Sequence, residues 1–282
     1  MPAHSFAAVD ATLWLRRVIV HFCLSYVAFC LLPFHSWQPA EGLFLRAAQS
    51  PERTLKAVSP EDPGLSSVVQ LVAVGPADKV QNRECSATGF LIDEEGYLIT
   101  NAHVVGDAWR CLEKAPGAKI LAKLPSNDPR TAPAVPCDVV GIDASNDLAL
   151  LKIERPLLAN PGDKQPFAML DARAATVGAA VRVSGYPTFS WQPVTQAGRV
   201  TWTGRTALEE IDDPLPKPSD ALGVDIHLRP GNSGSPVYRP DGGVIGVADK
   251  RDPLRPSYSV AVAIHYAIEL AERCGARWHG VE

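Results

Sequence analysis

Ser233 stands in the segment Pro230-Gly231-Asn232-Ser233-Gly234-Ser235-Pro236. A serine hydroxyl is a poor nucleophile at neutral pH, because it is almost wholly protonated. It becomes effective when an imidazole accepts its proton and a carboxylate holds that imidazole in one tautomer. Both partners occur upstream: His103 in Thr100-Asn101-Ala102-His103, and Asp147 in Asn146-Asp147-Leu148-Ala149-Leu150. Together the three groups suit nucleophilic acyl transfer. Gly231 and Gly234 permit backbone torsions closed to other residues, so a tight loop can aim the amides of Gly231 and Ser233 at one point. Negative charge developing on an acyl oxygen there would find two donors.

Each residue alone has a plainer reading. Gly-Ser-Gly is an ordinary turn, His103 one of 7 histidines, and Asp147 an acid at the start of a strand. Their joint occurrence favours the chemistry. An alternative order of serine, acid and histidine exists in Ser233, Asp249 and His265. That order belongs to a nucleophile on a sharp strand-to-helix elbow. Pro236 bars a helix just after Ser233, and a Gly-Gly hairpin follows, so the local pattern rules it out.

The elements that must position these groups read as short strands. Ser67–Val74, Ala87–Asp93 and Tyr97–Thr100 are expected strands, the last two joined by the turn Asp93-Glu94-Glu95-Gly96. Lys119–Leu124, Asp138–Ile142 and Leu148–Ile153 complete a first series. Residues 156 to about 171 form a proline-rich connector. A second series runs through Ala180–Ser184, Val194–Trp202, Ala221–Leu228, Ser235–Tyr238, Gly243–Ala248 and Tyr258–Ala263, with a hairpin at Pro240-Asp241-Gly242-Gly243. Only Ile264–Cys274 has a helical period, with Gly275 as its stop. Short strands without intervening helices indicate sandwiches or barrels. His103 and Asp147 fall in the first series and Ser233 in the second, so they meet only in a cleft between the two.

Composition agrees. The 282 residues suffice for one large domain or two modest ones, and 21 Gly with 25 Pro favour a turn-rich β protein. A net charge of −4 gives no footing for a nucleic-acid partner. No cysteine or histidine spacing matches a zinc site, so no metal is expected.

Residues 1–40 differ from the rest. Arg16-Arg17 precede an apolar run from Val18 to Phe34, the pattern of an export signal, cleaved or retained as a membrane tether through residues 18–34. Residues 41–62 read as a linker and 63–282 as the functional domain. Outside the leader the cysteines are Cys85, Cys111, Cys137 and Cys274. An exported chain permits disulfides among them, in any of three pairings; unpaired buried thiols are the equal alternative.

These segments resemble the trypsin-like serine proteases of the chymotrypsin fold, and within them the bacterial HtrA/Deg group. The resemblance is carried by Thr88-Gly89-Phe90-Leu91-Ile92-Asp93, the run from Gly96 to Val105, Asp147-Leu148-Ala149-Leu150-Leu151-Lys152-Ile153 and the run from Pro230 to Val237. It covers roughly residues 65 to 274. It implies an all-β fold of two six-stranded antiparallel barrels, at about 63–160 and 170–264, with a short C-terminal helix. It also implies a serine endopeptidase acting on protein or peptide substrates without a cofactor, exported to the periplasm or beyond. Ser233 would be the nucleophile, His103 the general base and acid, Asp147 the orienting carboxylate, and Gly231 with Ser233 the oxyanion donors. His227, six residues before Ser233, is the candidate for the substrate side-chain pocket. Asn232 occupies the place of an aspartate that serves the zymogen switch of digestive relatives, so no such switch is implied. The sequence after the second barrel is too short for the PDZ domains of HtrA proteins, so PDZ-mediated oligomer cages and substrate delivery are not expected. The competing expectation is a scaffold or binding protein of this fold with little turnover.

Overall fold

A computed structural model describes residues 65–74, 86–106, 119–123, 134–154, 165–187, 190–207, 218–251 and 258–281. The leader, the linker, Cys85 and Cys111 lie outside these residues.

Six strands form the first ring: β1 (Val68–Val74), β2 (Ser86–Leu91), β3 (Tyr97–Thr100), β4 (Lys119–Lys123), β5 (Ala134–Asp143) and β6 (Leu148–Ile153). They pair in the order β1-β2-β3-β6-β5-β4, and antiparallel pairing of β1 with β4 closes the barrel. A two-residue strand, β7 (Met169–Leu170), leads to the second ring of β8 (Ala180–Gly185), β9 (Val194–Ala207), β10 (Pro218–Val224), β11 (Pro236–Tyr238), β12 (Val244–Arg251) and β13 (Ser259–Ala263). This ring closes through β11, which pairs with both β8 and β12. The helix α1 (Ile264–Arg273) follows, and β14 (His279–Gly280) joins β7 in parallel at the edge of β12. The expected pair of six-stranded antiparallel barrels with a short C-terminal helix is the fold observed.

Alternation of side chains explains three separate cores. Ala149 and Leu151 of β6 point into the first barrel with Leu71, Leu91 and Leu98. Their neighbours Leu148 and Leu150 point the other way, joining Phe90 and Ile99 against Tyr238, Val247, Val262 and one face of α1. Val181, Val224, Val237 and Ile245 fill the second barrel. A strand buried on both faces reads as a continuous apolar run, which is how Leu148-Ala149-Leu150-Leu151 appears.

The limits of some strands differ from expectation. Alternation of Leu222, Val224, Ile226 and Leu228 predicts a strand to residue 228, and all four are buried. Yet β10 ends at Val224, because the Ser259 hydroxyl replaces the ladder, donating to the Ile226 carbonyl at 2.7 Å and accepting from the Leu228 amide at 3.2 Å. β5 begins earlier than expected and runs through Pro136, opposite Leu121. Cys137 and Cys274 carry no disulfide. Burial pushes the Cys137 thiol up to about 12, so it is inert packing.

Candidate active site

β3 ends at Thr100, and the chain turns through buried Asn101 into a short helical turn at 102–106 that carries His103. Asp147 follows a single 3-10 turn, Ala144–Asn146, whose open end is capped by Asp143. Its φ of 50° is the only positive value at a non-glycine among the described residues. Aspartate tolerates the left-handed region better than most residues, and the twist just before β6 turns the carboxylate back toward His103.

Four hydrogen bonds lock these two segments together. The Asp147 carbonyl accepts from the Ala102 amide at 3.1 Å and from Asn101 Nδ2 at 3.0 Å. The carboxylate accepts from the His103 amide at 2.8 Å through Oδ1 and meets His103 Nδ1 at 2.6 Å through Oδ2. An ionised carboxylate can only accept, so Nδ1 carries the hydrogen and Nε2 offers its lone pair. Asp147 is 1% exposed and the imidazole 26%, which leaves the ring reachable from solvent while its anchor is dry.

Ser233 lies on the loop between β10 and β11. Gly231 (φ 94°) and Gly234 (φ 82°) adopt torsions closed to most residues. A Cβ on Gly234 would stand 2.1 Å from the Thr88 carbonyl oxygen, so the loop sits directly on β2. Thr88 grips it twice, its amide donating to the Ser233 carbonyl at 3.0 Å and its hydroxyl to the Gly231 carbonyl at 2.7 Å. The same hydroxyl accepts from the Tyr186 amide at 2.9 Å, and Thr100 donates to the Thr88 carbonyl at 2.8 Å. The amides of Asn232, Gly234 and Ser235 are spent on main-chain carbonyls, whereas among the described residues those of Gly231 and Ser233 donate no main-chain bond. Two neighbouring amides are thereby left for an anionic guest.

The two halves converge on Asp249, near the end of β12. Its carbonyl accepts from the Ser233 hydroxyl at 3.3 Å. Its carboxyl lies against Asp147, and one ligating atom each from His103, Asp147 and Asp249 fall within 4.8 Å of one another. Asp249 is 4% exposed, and neither carboxyl oxygen receives a hydrogen bond from the described residues. Burial first, then the charge of Asp147, raises its pKa to about 8. These three side chains are also the donor set that a cation would meet, though His103 Nδ1 and Asp147 Oδ2 already satisfy each other. His227 is exposed on the stretch leading to the Ser233 loop, its carbonyl accepting from Gln196 Nε2 at 3.3 Å.

Residues 87–247 match the model of the trypsin-like peptidase domain. The chain belongs to this family. A protein described as a probable periplasmic serine endoprotease DegP-like, from Halomonas elongata, is 30% identical over 197 residues, which is 68% of this chain and 36% of that protein. One of the same description from Chlamydia trachomatis is 32% identical over 161 residues, 57% of this chain and 27% of that one. The chain thus spans 36% of the length of the first of these relatives and 27% of the second. Among solved structures, the active form of the Rv3671c protease from M. tuberculosis superposes with a TM-score of 0.59 at 23% identity, covering 78% of this chain and 85% of that one. The serine endoprotease from Yersinia pestis gives 0.54 at 19% identity, covering 75% and 64%. The likeness extends over both barrels of the trypsin-like domain.

Three contributors had no role assigned from the sequence, Asp249 entering only as the acid of the excluded serine, acid and histidine order. Thr88 and Thr100 act through hydrogen bonds across the fold, which no local pattern announces. Asp249 does leave a signal: it is the one acid directly following the apolar run Val244–Ala248, where a charge is unexpected.

Proposed function

We propose that this trypsin-like domain is a serine endopeptidase that hydrolyses peptide bonds through an acyl-enzyme, with Ser233, His103 and Asp147 as its catalytic residues. The observation that carries the reading is the convergence just described. His103 Nδ1 is held at 2.6 Å by Asp147, and Ser233 is bonded to Asp249, whose carboxyl lies within 4.8 Å of that same pair. An O–H···O distance of 3.3 Å is long, so the Ser233 hydroxyl leaves the Asp249 carbonyl at little cost and turns to Nε2.

Ser233 Oγ then attacks the scissile carbonyl carbon while its proton passes to His103 Nε2. Asp147 keeps Nδ1 protonated and stabilises the imidazolium. The carbonyl oxygen, now negative, accepts from the amides of Gly231 and Ser233, each worth about 3–4 kcal/mol in comparable sites. Collapse breaks the C–N bond, and the leaving amine takes the proton from Nε2. Water repeats the sequence on the acyl-enzyme, releasing the new carboxylate and restoring the hydroxyl. The substrates are proteins or peptides, and the chemistry calls for no cofactor. His227 is the residue at which to test side-chain preference. The basic and apolar leader, together with periplasmic relatives, supports export, with residues 18–34 as signal or tether.

A second reading is a scaffold of this fold with little turnover; it draws on the Ser233 hydroxyl resting on Asp249 rather than engaging the base. A fluorophosphonate probe separates the two. Labelling of the purified chain that disappears in Ser233→Ala, with hydrolysis of a diverse peptide library, is expected of the peptidase. Folded protein that neither labels nor cleaves would establish the scaffold. The N-terminal residue of the mature protein decides between signal and tether.

A further inference from the structure

Two buried carboxyls within 4.8 Å of each other pose a problem that the peptidase reading does not solve. Asp147 is 1% and Asp249 4% exposed, and like charges packed this closely in a dry site cannot both be ionised at small cost. Asp147 has two donors from His103. Asp249 has none for either side-chain oxygen among the described residues. The groups facing Asp249 are Asp147 before β6, His103 on the helical turn, and Lys250 on its own strand. His103 is committed to Asp147 through Nδ1, and the charge of Lys250 lowers the Asp249 pKa by less than burial and Asp147 raise it.

We propose that Asp249 is a positioning residue that works as a neutral carboxylic acid, donating its own proton to the Asp147 carboxylate and so steering that carboxylate onto His103 Nδ1. The inference rests on the peptidase reading for its catalytic consequence, but not for the proton itself. A proton on Asp249 turns an orphaned acceptor into a donor, and gives the Asp147 carboxylate a further hydrogen bond beside those from His103. The main chain of the same residue receives the Ser233 hydroxyl. Asp249 therefore ties base and nucleophile to one point on β12. Burial and then the charge of Asp147 raise its pKa, so the proton is held at a pH where an ordinary carboxyl has lost it. Once it is lost, two anions face each other, Asp147 is pushed from its place, and the imidazole loses its fixed orientation.

Two measurements on the full chain test this separately. In the Ser233→Ala protein, which cannot turn over, infrared difference spectra against Ser233→Ala/Asp249→Asn should show the carbonyl stretch of a protonated carboxylic acid at pH 6. That band should fade as the pH is raised into the alkaline range. Its absence at pH 6 would overturn the proposal whatever the enzyme does. Its presence in a protein that never labels would leave the proton in place and sink only the peptidase reading. In the active protein, kcat/KM should fall through an alkaline transition that is missing in Asp249→Asn, since the amide donates without titrating. Asp249→Ala should lose about ten- to a hundredfold in kcat with KM little changed, and Asp249→Asn should recover most of it. An alkaline transition that persists in Asp249→Asn, equal losses in both variants, or a transition removed by a chelator would each refute the assignment, the last by showing that a cation rather than a proton holds the pair.

Discussion

The two halves of the site are held by different means. On the first barrel, His103 and Asp147 are fixed by side-chain hydrogen bonds to one another and to main chain, with Asp147 in a left-handed conformation at the foot of β6. On the second, Ser233 depends on a loop shaped by two glycines, and its hydroxyl makes one long bond. The proposed base and its anchor are preorganised by electrostatics, the proposed nucleophile by backbone geometry and by the grip of Thr88 from the opposite barrel. The first kind of order is a local property of two segments. The second exists only when both barrels are folded and docked.

The largest effects should come from removing either half. Ser233→Ala and His103→Ala should each lower kcat by about six orders of magnitude, with peptide binding retained. Asp147→Asn keeps the shape but lets the imidazole take the wrong tautomer, so kcat should fall by about 10⁴. Steady-state kinetics on a fluorogenic peptide measure all three, and a loss confined to KM would break the comparison.

Thr88 tests the cross-barrel grip more finely. Thr88→Val removes the hydroxyl that holds the Gly231 carbonyl and receives the Tyr186 amide, while preserving the strand. It should cost about ten- to a hundredfold in kcat, and Thr88→Ser should restore much of that. A small loss in both variants would mean that the glycines alone shape the loop.

The smallest catalytic effect belongs to the remote side of the second barrel. Asp171 is buried between Arg173 and Arg239, each with its Nε at 2.7 Å. Burial alone would raise its pKa, but the Arg173 and Arg239 guanidiniums outweigh it and hold the carboxyl at about 2. A folded value below the ordinary 3.8 adds stability that is complete above that pH and lost as pH falls toward 2. Arg239→Ala leaves Arg173 as the other ion-pair partner, so thermal unfolding should show a loss of about 2 kcal/mol at neutral pH. The loss should shrink on acidification, while kcat stays near wild type.

How much of this the sequence disclosed follows the same division. The barrels were legible because their apolar residues alternate, and the double burial of Leu148-Ala149-Leu150-Leu151 was visible as an unbroken run. His103, Asp147 and Ser233 stand out as candidates because each sits in a segment with its own turn chemistry. β7 and β14 have two residues each, too few for any period to show. The end of β10 was misread because burial continues past Val224 while pairing does not. Thr88, Thr100 and Asp249 act through contacts with partners 12 to 145 positions away, where a one-dimensional pattern has no reach.

The central claim is that the hydroxyl, the imidazole and the carboxylate act as one unit. A cycle of kcat measurements on Ser233→Ala, His103→Ala and the double variant tests it most directly. If they are one unit, the double variant is no slower than either single variant. Losses that multiply would show that the two residues act independently, and the account would fail.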